Sequence, residues 1–226
     1  MATSAVRHGA VLRENETIVS LSLDDAGCSV VTDQGQYTSD RVVLTAGAWS
    51  GQLLPRLARL AIPERQVVGW FDVAEPGLFS ADRFPVFILD CPFGEYYGFP
   101  TDRSGRGFKI GRYHHLEERV NPAGSIAKPE RRDEMVLRQA INAHFPQANG
   151  SIQQMQTCMF TNSPDGHFII DRHPEDSRLI FGAGFSGHGF KFACVIGELL
   201  SELACEPEKA PVPLFSMARF GEDHDD

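Results

Sequence analysis

The residue types best suited to chemistry stand near the end of the chain. In Gly184-Phe185-Ser186-Gly187-His188-Gly189-Phe190-Lys191, three glycines separate the apolar run Leu179-Ile180-Phe181 from a helical stretch reaching about Leu203. Glycines there let the backbone come close to a ligand, and a helix N-terminus offers oriented N–H donors to a carboxylate or a cofactor carbonyl. The same spacing equally serves a tight strand-to-helix turn whose glycines only relieve sterics. Lys191 falls in the first turn of the expected helix, where the macrodipole disfavours a cation, so its position points to an anionic partner or to a side chain reaching solvent. His188 suits a donor to the same ligand or a cap of its own turn.

Other candidates lie upstream. Cys158 ends an extended run that turns at Ser163-Pro164-Asp165. A lone cysteine is ordinarily a small buried hydrophobe, and spacing alone gives it no reactivity. Tyr96-Tyr97-Gly98-Phe99-Pro100 and Tyr113-His114-His115 bring aromatic and imidazole groups to the ends of neighbouring extended runs. Aromatic walls with a few polar tips suit a small amine's pocket, and they also suit ordinary sheet packing.

The elements that must position these groups follow from periodicity. Residues 17–23 and 28–32 alternate as strands around the turn Asp24-Asp25-Ala26-Gly27, giving a hairpin. Residues 41–47 form a continuous apolar run expected of a buried strand, and 48–60 a short helix shortened or kinked by Pro55. Runs at 66–73, 85–89, 95–99 and 107–113 predict an antiparallel sheet. An amphipathic helix is expected over 129–144, with Met135, Leu137, Ala140, Ile141 and His144 on one side. Residues 151–160 and 168–170 read as extended, and Gly221 to Asp226 as a frayed acidic tail.

Composition narrows the function classes. Thirty acidic residues against 21 basic leave a formal charge of -9, the wrong sign for collecting phosphates, so no nucleic-acid partner is expected. No apolar run approaches the roughly 18 residues needed to span a bilayer, and the first ten residues lack the apolar core of a signal peptide; a cytoplasmic protein with no membrane partner is expected. The five cysteines show no C-x-x-C pairing, so neither a zinc site nor a disulfide framework is expected.

Taken in order, T-A-G-A-W at 45–49, R-Q-V-V-G-W-F at 65–71, Y-Y-G-F-P at 96–100, K-I-G at 109–111, C-M-F-T-N-S-P-D at 158–165, F-I-I-D at 168–171 and G-A-G-F-S-G-H-G-F-K at 182–191 resemble the monomeric sarcosine oxidase and N-methyltryptophan oxidase family of FAD-dependent amine oxidases. The resemblance runs from about Ala5 to Phe220. It implies FAD held by a thioether to Cys158. It implies that Lys191 helps activate dioxygen and neutralises the substrate carboxylate, with Gly187 and His188 bordering substrate and flavin and Gly184 in the same cofactor-facing turn. Thr45, Ala46 and Gly47 correspond to a strand end passing close to the cofactor, and Tyr97 to a pocket tyrosine. A histidine shortly after K-I-G lines the same pocket. Arg112-Tyr113-His114 carries one residue more than some members, so His114 is the preferred match, with Tyr113 and His115 as alternatives.

The fold class implied is α+β (α/β): part of an FAD-binding domain of the glutathione-reductase-like type plus an antiparallel-sheet substrate domain, with the N-terminal Rossmann unit missing, since no strand–G-x-G-x-x-G–helix fingerprint is expected anywhere in the chain. The expected division is 1–62 and 151–226 for the cofactor-binding part, the latter carrying the flavin anchor, and 63–150 for the substrate domain. The implied reaction oxidises a secondary amine of an N-methyl or cyclic amino acid to an imine with production of hydrogen peroxide. Its partners are a small amino-acid amine and dioxygen, together with an N-terminal FAD-binding segment or another chain. Two other readings are a non-catalytic or partner-dependent fragment of such an oxidase and a general small-molecule-binding domain.

Overall fold

Turn chemistry and alternation set most of the elements. A computed structural model describes residues 2–25, 27–102 and 105–221; Ala26 of the first turn and the expected tail beyond Gly221 lie outside the described residues. The chain forms α1 (Ala2–Arg7), β1 (Ile18–Asp24), β2 (Gly27–Thr32), β3 (Gln36–Ser39), β4 (Val42–Leu44) and a single turn α2 (Ser50–Leu53). Next come β5 (Ile62–Phe71), β6 (Phe87–Cys91), β7 (Gly94–Phe99), β8 (Phe108–Arg112) and α3 (Arg131–His144). The chain ends with β9 (Ile152–Asn162), β10 (Ile169–Arg172), β11 (Leu179–Ala183) and α4 (Ala193–Cys205). The mixture of helix and sheet agrees with the α+β expectation.

The described residues fall into two compact units. One comprises residues 2–45, 169–182 and 193–221. In it β1, β2 and β3 form an antiparallel meander, and a second sheet has the order β10-β11-β4, with β11 running parallel to β4. Strand β11 is buried throughout, and α4 packs against β10 and β4. Arg172 anchors the end of α4: its Nε and Nη2 donate to Leu203 O, and Nη2 also reaches Glu206 O, filling helix-terminal carbonyls that lack partners. The buried strand expected over 41–47 is reduced to the three residues of β4.

The other unit comprises residues 46–168 and 183–192. Its five-stranded antiparallel sheet has the order β6-β7-β8-β5-β9. Residues 152–162, expected with the C-terminal return, supply an edge of this sheet, because β5 is long enough to pair along its whole length with β9 on one side and with β8 on the other. The helix expected over 48–60 is broken into short turns, as Pro55 cannot donate a helical hydrogen bond and opens a separate 3-10 turn. Helix α3 starts at a capping box between Glu130 and Asp133, and it buries Asp133, Leu137, Ala140 and Ile141. Met135 is 62% exposed and His144 is also exposed, a correction to the expected face: the i, i+4, i+7, i+8 stripe begins at Asp133, which turns position 135 outward. The core joins α3 to Phe71, Tyr96, Phe108 and Ile110, with Phe79 and Phe108 ring centroids 5.3 Å apart.

Candidate functional site

Strand register decides which side chains share a face, because directly opposed residues of antiparallel strands point the same way. Gln66 pairs with Cys158, Val68 with Gly111, Trp70 with Lys109, Tyr97 with Gly111, and Phe99 with Lys109. Cys158, Gln66, Trp70, Lys109, Gly111, Tyr97 and Phe99 therefore lie on one face, and alternation turns Tyr96, Phe108, Ile110 and Phe71 to the other. Gly111 is what lets the Tyr97 ring lie flat across the sheet, since a Cβ there would stand 2.6 Å from the ring. Tyr97 packs on Tyr113 at 4.9 Å between centroids, and Tyr113 on Phe160 at 5.9 Å.

This environment suppresses ionisation. Burial pushes the Tyr97 phenol well above its ordinary range, with nearby Cys158 and Tyr113 adding to the effect. Burial also pushes up the half-buried Cys158 thiol, and the positive charge of Lys109 opposes that rise. Lys109 is held between aromatic rings, 5.0 Å from the Trp70 centroid and 5.2 Å from that of Phe99. In the sequence Lys109 stands out only as part of K-I-G; its parity with Tyr97 and Phe99 across the sheet is the signal that marks it.

The glycine loop follows β11. Gly184 and Gly187 take φ of 60° and 76°, and Ser186 takes 48°, so the chain reverses through left-handed conformations that glycine adopts without strain. Ser186 N donates to Thr161 O at 2.9 Å, and Ser163 N donates to Ser186 Oγ, which ties the loop to the end of β9. Gly187 lies against the Phe160 ring, where a Cβ would approach to 2.3 Å. His188 stacks on Phe168 at 4.9 Å, and its Nε2 lies 3.1 Å from Gly166 O. Lys191 sits in a 3-10 turn ahead of α4 instead of in the first α-helical turn, because the left-handed residues use up the chain before a helix can begin. Gly182, Gly184 and Gly187 carry the G-x-G-x-x-G spacing from the end of β11 onward, a correction to the expectation that no such spacing occurs in the chain. The helix does not start at the third glycine, as a dinucleotide turn requires, but six residues later at Ala193.

A cavity of about 580 Å³ opens beside these elements, lined among others by Arg112, Tyr113, His114, Ser186, His188 and Lys191. His114, Tyr113, His188 and Lys191 are thus brought together, whereas Tyr97 and Cys158 lie outside the lining, on the adjoining sheet face. His114 is left-handed at φ 50°, its side chain is 59% exposed, and its Nδ1 lies 3.4 Å from the buried Glu64 Oε2. Asn162 Nδ2 donates to the same oxygen at 2.9 Å. His115, the alternative, is fully buried with Nε2 2.9 Å from Asp133 Oδ1, so it is withdrawn from the cavity. Thr45 follows β4 in the first unit; Ala46 and Gly47 open the second, where Gly47 takes φ 55° at the start of a 3-10 turn. Among the described residues no group of acids, cysteines and histidines is arranged to hold a metal ion, and no helix is long and apolar enough to cross a membrane.

The residues present fit one edge of a flavin. A half-buried thiol stands on a sheet face shared with a cation, and a loop whose glycines at φ 60° and 76° leave no Cβ toward its neighbours lies beside that face.

Comparison with known proteins agrees. Residues 1–203 match the family model described as FAD dependent oxidoreductase. The chain is 37% identical over 223 residues to a monomeric sarcosine oxidase of Bacillus sp. (strain B-0618), covering 95% of this chain and 56% of that protein. It is 36% identical over 213 residues to an N-methyl-L-tryptophan oxidase of Yersinia pestis (strain Pestoides F), covering 91% of this chain and 55% of that protein. The chain thus spans about half the length of the curated relatives it matches. In fold, it matches the crystal structure of L-proline dehydrogenase from P. horikoshii with a TM-score of 0.77 at 21% identity, covering 97% of this chain and 57% of that one.

Proposed function

Because the chain belongs to the FAD dependent oxidoreductase family, we propose that it forms the substrate-facing part of an oxidase acting on the secondary amine of an N-methyl or cyclic amino acid. The product is an imine, which water hydrolyses, and dioxygen is reduced to hydrogen peroxide. When bound, FAD supplies the two-electron acceptor that links amine to dioxygen. The observation that carries this reading is the convergence of His114, His188, Tyr113 and Lys191 on one cavity, beside the sheet face that bears Tyr97 and Cys158.

Each residue has a task that its surroundings support. Lys191, which has no carboxylate partner among the described residues, binds the substrate carboxylate. Tyr97, Tyr113 and Phe160 form an apolar wall that keeps water from the reacting amine, and burial keeps the Tyr97 hydroxyl protonated, so it remains a donor. His114, placed by Glu64 and Asn162, offers an imidazole to the substrate nitrogen. Cys158 would hold FAD through a thioether, and Lys109 stabilises the thiolate that forms it. Gly184, Gly187 and His188 present backbone and imidazole donors to the flavin and substrate.

Since the chain spans about half of its relatives' length, activity is proposed to need further FAD-binding residues, supplied in the same chain or by another. The test is purification after expression with flavin available. The expected protein is yellow and stays yellow after denaturation, and Cys158→Ser loses the retained colour. A colourless wild type rules out covalent attachment by this chain alone. Adding an N-terminal FAD-binding segment then separates the remaining readings: peroxide formed with sarcosine supports a partner-dependent enzyme, and an inert mixture supports a non-catalytic fragment.

A further inference from the structure

His114 is joined to the sheet by a chain of side-chain hydrogen bonds that fixes more than its place. Glu64 and Gln66 of β5 and Asn162 of β9 stand at the same strand parity as Cys158, on the face that bears it. Gln66 Oε1 accepts from His115 N at 3.2 Å, so its amide is turned with Nε2 toward Glu64 Oε1, 2.8 Å away. Asn162 Nδ2 donates to the other carboxylate oxygen, Oε2, at 2.9 Å. Glu64 is only 7% exposed, and among the described residues His114 is its one ion-pair partner. Two groups compete at His114 Nδ1, each 3.4 Å away: Glu64 Oε2, which calls for a proton on that nitrogen, and Asn162 Nδ2, which calls for a lone pair. The carboxylate wins, because a hydrogen bond to a charged acceptor is roughly twice as strong as a neutral one, and a lone pair would face a buried anion. Nε2 then carries the lone pair, and it has no hydrogen-bond partner among the described residues. The ring belongs to a residue of the cavity lining whose left-handed backbone persists outside glycine only where the surroundings hold it.

We propose that Glu64 is a positioning residue that fixes His114 as the Nδ1–H tautomer and so presents Nε2 to the cavity as a proton acceptor. A secondary amino acid arrives with its nitrogen protonated. One N–H bond of the substrate breaks, an Nε2–H bond forms, and the substrate nitrogen regains the electron pair that amine oxidation requires. The Glu64 carboxylate balances the resulting imidazolium, whose Nδ1–H stays directed at Oε2. Gln66 and Asn162 act through Glu64, by holding its two oxygens. This rests on the reading of the cavity as the substrate site.

Long-range proton–nitrogen correlation NMR of the full chain, isotope-labelled at its histidines, tests it at about pH 8.5, above the ordinary histidine range, with His114→Gln identifying the signals. The Nε2 resonance of His114 is expected at the position of an unprotonated nitrogen, and Nδ1 at that of a protonated one. Glu64→Gln is expected to shift the tautomer ratio about tenfold toward Nε2–H, the form that free histidine favours, which is the scale of one charge-assisted hydrogen bond. Added sarcosine is expected to move the Nε2 resonance of the wild type. An Nε2–H tautomer in the wild type, or an Nδ1–H tautomer that Glu64→Gln leaves unchanged, overturns the role of Glu64 and leaves the site reading standing. The expected tautomer with an Nε2 resonance indifferent to sarcosine overturns the site reading, and the proton step with it. The wild-type spectrum decides the matter if Glu64→Gln does not fold.

Discussion

The two faces of the five-stranded sheet solve opposite problems with the same strands. The face under α3 is closed. Phe71, Tyr96, Phe108 and Ile110 meet Leu137, Ala140 and Ile141, and the buried Arg65 is paired. Arg65 donates from both Nη atoms to Asp133 at 2.8 Å, also reaches Glu118, and shares Asp133 with His115. The opposite face keeps the strand alternation but not the closure. Tyr97, Phe99, Lys109 and Cys158 are only partly buried, and Lys109 is held by rings instead of by a carboxylate. Charge that serves the fold is matched within the chain, whereas charge left unmatched on an ordered surface is available to something else.

The comparison breaks most readily at Asp133. Asp133→Ala leaves Arg65 buried without its main partner, and loss of one member of a buried pair typically costs about 3–5 kcal/mol. Urea unfolding of that variant should show a loss of this size. A loss under about 1 kcal/mol would mean that the closed face does not depend on its ion pair.

Acid should act on the same network. Burial alone would raise the Asp133 carboxyl, but hydrogen bonds from Arg65 and the Glu130 backbone override it and hold the group at about 2. Burial also lowers the His115 imidazole from its ordinary value, with Asp133 opposing. In both cases the folded-state value lies below the unfolded one, so the unfolded chain binds more protons in between. The stabilisation is complete above the ordinary histidine range near 6.5, starts to fall as His115 resists protonation, and falls further from about 3.8 toward 2. Thermal melts from pH 8 to 2.5 should show this two-stage decline, and Asp133→Asn should flatten the lower stage. A melting temperature independent of pH below 6 would contradict the sign.

Much of this was legible from the sequence and some was not. Alternation and turn residues place β1, β2 and the strands of the antiparallel sheet, since both are local signals. The partner of β5 is not local: β9 joins it from some 90 positions away, and nothing in residues 151–160 says which sheet they enter. Helix α3 was legible, but its buried face was misjudged because Asp133, a charged residue, begins the stripe. At the candidate site, the structure brings His114, with a left-handed backbone, to the cavity and leaves His115 buried, a difference that the adjacent letters do not carry.

The smallest expected effect sharpens the open face. Lys109 is the charge that opposes the burial-driven rise of the Cys158 thiol. Replacing it with methionine keeps an unbranched apolar stem between Trp70 and Phe99 and removes only the charge, so the sheet should melt nearly as before. The thiolate then loses its electrostatic support, and alkylation of Cys158 by iodoacetamide at fixed pH, followed by mass spectrometry, should slow a few-fold. Cys205, exposed in the other unit, provides the internal reference in the same sample. If Cys158 slows and Cys205 does not, the effect is local charge; if both change together, access or folding has changed instead. An unchanged Cys158 rate would mean that the cation held by the two rings is screened from the thiol, and the open face would lose its electrostatic distinction from the closed one.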